Sequence, residues 1–271
     1  MTVSPRGRIT LPAIAVDVIQ TRLRATLPAA LKTVGFGSTE DERRMLHQRA
    51  WQELEARGLV RHGDLDPFLE DAFQILARPP LAVWALLQTD RENGIDAVIA
   101  ASGDFAVLAM QSGPENAPRE EKELVLEAVR PTGLAHVAAS LLPEHRPGKG
   151  QSVSCPSDLI EKATANASPG PGGLRASLTS HGMRPGEAEF IAEVLTSERL
   201  RYGEFSTRSF NRLAGKTTRS AYRVDVLDTS IGRYLLQHKP DGQGRPWFAM
   251  APTDRTRMAG RIQELITSVT T

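Results

Sequence analysis

The chain has 271 residues, and its 33 Lys and Arg against 32 Asp and Glu leave a formal net charge of +1 at pH 7. That length supports a sizeable core, and that balance gives no overall pull toward nucleic acid or an anionic membrane. A single cysteine, Cys155, excludes an intrachain disulfide and fits the cytosol. No apolar run approaches the roughly 20 residues needed to cross a bilayer.

Residues 1–10 lack the apolar core of a signal peptide. Residues 9–11 read as a short edge strand. Pro12 opens a helix to about residue 25, with Ile14, Val18, Ile19 and Leu23 on one face. Thr39 and Glu42 fit a reciprocal capping box. The helix that follows carries Met45, Leu46, Ala50, Trp51 and Leu54, and Gly58 stops it. Asp66 caps another helix with Pro67 at its first position. Phe68, Leu69, Ala72, Phe73 and Leu76 line its buried face, and Pro79-Pro80 ends it. Residues 81–88 are almost all apolar, as in a central strand, and 89–94 are a polar connection. Strands at 95–102, 105–111 and 124–129 follow, then a helix from Arg130-Pro131-Thr132.

Residues 143–157 are rich in Pro, Gly and Ser and read as a linker, with Cys155 as an incidental thiol within it. Short helices are expected at 159–165, 174–181 and 185–197. The strand expected at 199–210 is the counterpart of 81–88, and 211–219 the counterpart of the connection 89–94. From residue 220 the pattern is strand, turn, strand, loop, strand, helix. Tyr222, Val224 and Val226 alternate with Arg223 and Asp225, the period of a half-buried strand. The last helix starts at Thr253 or Asp254 and places Met258, Ile262, Leu265, Ile266 and Val269 on one stripe. This run repeats the earlier one: Pro131-Thr132 matches Pro252-Thr253, and Leu141 matches Ile262. The reading is an α+β chain forming a single domain, built of two pseudo-repeat halves, about 1–145 and 156–271, around a pseudo-symmetric sheet.

No site for chemistry assembles from these residues. The six histidines show no metal-ligand spacing with a third ligand near. Phosphate-loop and nucleophile-elbow patterns are absent. The expectation is a protein with no catalytic residues, no cofactor and no metal. One alternative is a winged-helix regulator between residues 43 and 111, with 51–60 as its most suggestive segment. Against it, the would-be recognition helix at 66–77 carries Asp66, Glu70 and Asp71 and no Lys or Arg, whereas a helix beside phosphates needs cations. An enzyme with an unfamiliar site is the third class.

Two stretches carry a family resemblance. In the first, Leu54-Glu55-Ala56-Arg57-Gly58-Leu59 leads to Leu65-Asp66-Pro67 and then to Leu76-Ala77-Arg78-Pro79. The second holds Val224-Asp225-Val226-Leu227-Asp228-Thr229, Gly232-Arg233-Tyr234, and Trp247-Phe248-Ala249-Met250-Ala251-Pro252-Thr253. In their order and spacing the chain resembles the EspG family, chaperones of ESX (type VII) secretion. The resemblance implies a central, mainly antiparallel sheet flanked by two helical bundles with a quasi-twofold relation. It also implies a cytosolic chaperone, monomeric or weakly dimeric, that binds the apolar tip of the PPE subunit of a PE–PPE pair or a similar secreted helical substrate, with no nucleic acid and no membrane insertion. Carried onto this sequence, its contact surface is the loop Gln88, Thr89, Asp90, Arg91, Glu92 and Asn93, together with a groove on the 159–197 helices presenting Leu178, Met183 and Phe190. The departures are the short 211–219 stretch, a 143–173 stretch that matches little, and an aromatic content of 5%.

Overall fold

The computed structural model describes residues 7–270. Residues 1–6, part of the stretch weighed as a signal peptide, and Thr271 lie outside the described residues. The first strand, β1 (Ile9–Leu11), runs into α1 (Ala13–Leu23). Helix α2 (Glu40–Ala56) is capped at Thr39, whose hydroxyl accepts from the Glu42 N–H at 3.2 Å. The capping box is only half formed, because the Glu42 carboxylate accepts from the Ser38 N–H at 2.8 Å instead. Met45, expected among the apolar residues of this helix, is exposed. Gly58, at φ +67°, takes the left-handed turn that ends the helix, and the Leu59 N–H returns to the Leu54 carbonyl. A small hairpin, β2 (Val60–Arg61) and β3 (Asp64–Leu65), leads to α3 (Pro67–Ala77), capped by Asp66.

Then come β4 (Leu81–Gln88), β5 (Asn93–Ser102), β6 (Phe105–Pro114), β7 (Leu124–Ala128) and the short α4 (Leu134–Ser140). The chain continues with β8 (Val153–Pro156), α5 (Ser157–Ala165), α6 (Pro171–Ser180) and α7 (Pro185–Thr196). It closes with β9 (Arg199–Asn211), β10 (Lys216–Arg219), β11 (Val224–Thr229), β12 (Gly232–Pro240), β13 (Pro246–Pro252) and α8 (Arg255–Thr270). Asp254 caps α8 by accepting from the Arg257 N–H at 2.8 Å.

The large sheet runs β1-β7-β6-β5-β4-β9-β11-β12-β13-β8, with β10 added on β9, and its strand pairs are antiparallel. Read outward from the β4–β9 pair, the two directions have one plan. Each is a long strand, then a three-strand meander, then an edge strand that precedes three helices in sequence. The segments 95–142 and 222–269 therefore agree in strand order and direction. Side-chain alternation sorts the core into three parts. Leu69, Phe73 and Leu76 of α3 join Val98, Val107 and Leu126 over one end of one face. The α5–α7 helices cover Leu227, Tyr234, Phe248 and Met250 at the other end of that face. On the opposite face, α4 and α8 meet over Val83, Ile99, Phe205 and Val226.

Three expectations are corrected. The segment 143–157 is not a free linker, because β8 lies within it and pairs with β13, setting Cys155 opposite Phe248. Strand β11 is buried on both faces rather than half-buried, since α8 lies over one side and α5–α7 over the other. The connection 211–219 contains β10, which folds back on β9.

Burial pushes the Cys155 thiol up to about 11, with the charges of Glu187 and Asp158 adding to the effect. A thiol is nucleophilic only as the thiolate. Cys155 is therefore expected to react with a thiol reagent at least about tenfold more slowly in the native protein than in denaturant, measured as a rate at pH 8.

Candidate partner-binding surface

Strand register places Ala82, Trp84, Leu86 and Gln88 of β4 opposite Arg208, Ser206, Glu204 and Tyr202 of β9 on one face. This is the face covered at its two ends by α1–α3 and α5–α7. Between those helix groups the sheet is open. Leu86 is 43% exposed although it sits on a central strand. From Asp96 across Leu86 to Glu204 the strip spans two strand spacings, about 10 Å between Cα atoms, and Asp225, one strand further, is already buried. An α-helix with side chains is about 10–12 Å wide, so one helix fits along the strip.

Charge is distributed unevenly on this floor. Lys32 pairs with Asp96 at 2.7 Å. Arg223 bridges Glu204 at 3.0 Å and Asp225 at 3.1 Å. Burial raises the Asp225 carboxyl above its usual range, and Arg223 works against that rise. Arg208 lies over the Trp84 ring at 4.7 Å, a cation–π arrangement that leaves the indole half-buried beside a guanidinium.

The 88–93 loop closes one end of the strip. The Asp90 carboxylate accepts from the N–H groups of Glu92 at 2.9 Å and Asn93 at 2.8 Å, and from the Asn93 amide. Those bonds, the Glu92 N–H first, hold the Asp90 carboxyl below the usual carboxylate range. The contribution of these bonds is thus fully present at neutral pH and fades as pH falls through that lowered value. Thr89 donates through its N–H and hydroxyl to the Asn93 carbonyl. Arg91 points outward and comes within 3.9 Å of Glu198, at the entrance to β9. Leu200, two residues on, is 37% exposed.

The structure therefore gathers Gln88, Thr89, Asp90, Arg91, Glu92 and Asn93 at the mouth of the strip. The helical part of the expected surface is corrected. Leu178 and Met183 are 0% and 5% exposed, packed among Ile160, Ala163, Leu174 and Ile191, so neither presents a surface. Phe190 is half-buried, meeting Tyr234 edge-on at a centroid distance of 5.9 Å. Sequence reading missed Leu86, Leu200 and Arg208. The available signal was the polar alternation of Glu204, Ser206 and Arg208, which a covering helix would leave unpaired; Tyr202 on the same face packs against the core under α5–α7. The winged-helix alternative fails on topology: β4, β5 and β6 belong to the middle of the large sheet, and the would-be recognition helix buries Leu69, Ala72, Phe73 and Leu76.

The sequence model of the EspG family matches residues 12–264. The chain belongs to the EspG family. Its fold is similar to that of the Mycobacterium tuberculosis type VII secretion chaperone EspG5, solved in complex with a PE25–PPE41 dimer. That likeness has a TM-score of 0.73 at 14% identity and covers 97% of this chain and 96% of that one. A dehydratase-cyclase domain of ambruticin biosynthesis aligns over 98% of this chain and 97% of its own at 14% identity, but its TM-score of 0.17 carries no structural likeness. No curated protein matches in sequence. Among the described residues, no three His, Cys, Asp or Glu side chains are grouped to hold a metal, and no helix is long and apolar enough to cross a membrane.

Proposed function

We propose that this EspG-family chain is a type VII secretion chaperone that holds the apolar tip of a PPE-like protein in a PE–PPE pair and delivers it to the secretion machine. The observation that carries this reading is family membership over residues 12–264. The open strip supplies its physical basis. A helical protein with an exposed apolar tip aggregates unless the tip is covered, and a helix-wide floor bearing Leu86 and edged by Leu200 covers such a tip. The reading assigns no turnover chemistry to the chain and places it in the cytosol as a monomer or weak homodimer. The halves 1–145 and 156–271 are read as two copies of one unit, joined through the 143–157 stretch.

Binding is assigned to the 88–93 loop and the neighbouring strip, with Leu178 and Met183 acting as support beneath the helices. Rim charges set orientation and encounter more than gross affinity. Arg91→Glu with Glu92→Lys, two exposed side chains outside the bonds that Asp90 makes, is expected to weaken capture of a co-expressed PE–PPE-like pair about tenfold or more, while the thermal melt of the isolated chain stays unchanged. If the double variant captures the pair as well as the parent does, the loop is outside the interface.

A further inference from the structure

The strip has a second end, away from the 88–93 loop, and its chemistry differs. There β10 lies against the end of β9 and sets Arg219 directly opposite Arg208. Two like charges in direct cross-strand register oppose sheet pairing. Neither has a carboxylate within ion-pair distance among the described residues, unlike Arg223 in the middle of the strip, which has two. Burial lowers the Arg208 pKa, and the charge of Arg219 lowers it further. Arg212 and Lys216 add two more cations on the same hairpin, and Leu213 at its tip is fully exposed.

We infer that the Arg208–Arg219 end of the strip, floored by Trp84, binds the carboxylates of an acidic segment on the protein partner. The inference rests on the reading of this chain as a binder of a helical protein, and it adds what that partner must carry. Guanidinium forks donate bidentately to carboxylates, and two unneutralised forks side by side suit a pair of acidic side chains or a chain terminus. A nucleic acid fits less well, because its phosphates would pass over Asp96 and Glu204 in the middle of the strip. The spacing is also set. Glu204, opposite Leu86, and Arg208 are four residues apart on β9, about 13 Å at the rise of a strand. On an α-helix that distance is about nine residues. The partner helix therefore carries its acidic residues two to three turns beyond the apolar residue that covers Leu86.

The test uses the full chain and fluorescein-labelled hexaglutamate, read by anisotropy at low salt. Saturable binding that weakens with added salt is expected. Arg219→Glu and Arg208→Gln are each expected to weaken it roughly fivefold or more, with Arg219→Lys retaining part of it. Arg44→Glu, on an exposed arginine paired with Asp41, is the control and is expected to bind as the parent does. Equal binding by parent and Arg219→Glu overturns the inference, as does tighter binding of a 12-base-pair DNA duplex than of the peptide. The two readings separate cleanly. A chain that captures a PE–PPE-like pair but not hexaglutamate retires this inference alone. A chain that binds hexaglutamate but no such pair retires the proposed function alone.

Discussion

Asp228→Ala is expected to lower the stability of the chain by about 3–5 kcal/mol. Asp228 and Arg233 face each other in register at the tight turn between β11 and β12, and both side chains are fully buried. The Arg233 Nε donates to one Asp228 oxygen at 2.6 Å and Nη2 to the other at 2.8 Å. Nη2 also donates to the Pro143 carbonyl at 2.7 Å, which ties the hairpin to the chain leaving α4. Arg201 approaches the same carboxylate at 3.4 Å. Removing the carboxylate strands a guanidinium away from water, and that desolvation cost is what sets the size of the effect. Replacing both members by apolar residues, Asp228→Leu with Arg233→Met, removes the stranded charge and is expected to recover most of the loss. Urea midpoints of the three proteins measure this. A single variant within about 1 kcal/mol of the parent would mean that water reaches Arg233.

Gly148→Ala is the second large effect, expected to destabilise by about 2–3 kcal/mol. The segment 146–149 is stitched to β12. The Arg233 N–H donates to the Arg146 carbonyl at 2.8 Å, and the Gly148 N–H donates to the Arg233 carbonyl at 3.1 Å. A Cβ on Gly148 would fall on the ring of Tyr234, which is fully buried and donates its hydroxyl to the Lys149 carbonyl. Gly232, at φ +138°, faces the Gly148 backbone so closely that it too has no room for a side chain. The ring cannot move aside, because Phe190 packs against it. Gly242→Ala, at a position with open space around it, is the control. A Gly148→Ala protein that melts with the parent would show that this segment is free to lift off the sheet.

These two sites mark where sequence reading stopped. Hydrophobic period and capping chemistry are local, so α1, α2, α3, α7, α8 and the meander strands could be read from residues such as Pro12, Thr39, Asp66 and Asp254. The common strand order on the two sides of the β4–β9 pair was hinted at as well, by Pro131-Thr132 ahead of α4 and Pro252-Thr253 ahead of α8. Long-range pairing left no such mark. Nothing local in Val153-Ser154-Cys155-Pro156 says that it joins an edge strand, and nothing around Gly148 says that it abuts Tyr234. The alternation around Val224 pointed to a wet face because Arg223 and Asp225 are charged, yet they pair with each other in place. For the proposed surface, the 88–93 loop came from the resemblance alone, since its residues by themselves read only as a polar connection. Leu178 was misplaced because an apolar residue on an amphipathic helix looks the same whether it faces a partner or the core, and Met183 because the turn between α6 and α7 gives no sign that it folds inward. Leu86 was hidden for the opposite reason. It sits in an apolar run that reads as buried, and only the gap between two helix groups exposes it.

The most direct measurement is the mass of the particle formed when the purified chain is mixed with a PE–PPE-like pair, read by light scattering after size exclusion. The account predicts a complex with one copy of each of the three proteins. It also predicts that Leu86→Glu with Leu200→Glu abolishes that complex without moving the melt of the chain alone, since both side chains are already partly in water. No complex with any such pair, or a complex that the double variant forms as readily as the parent, would contradict it.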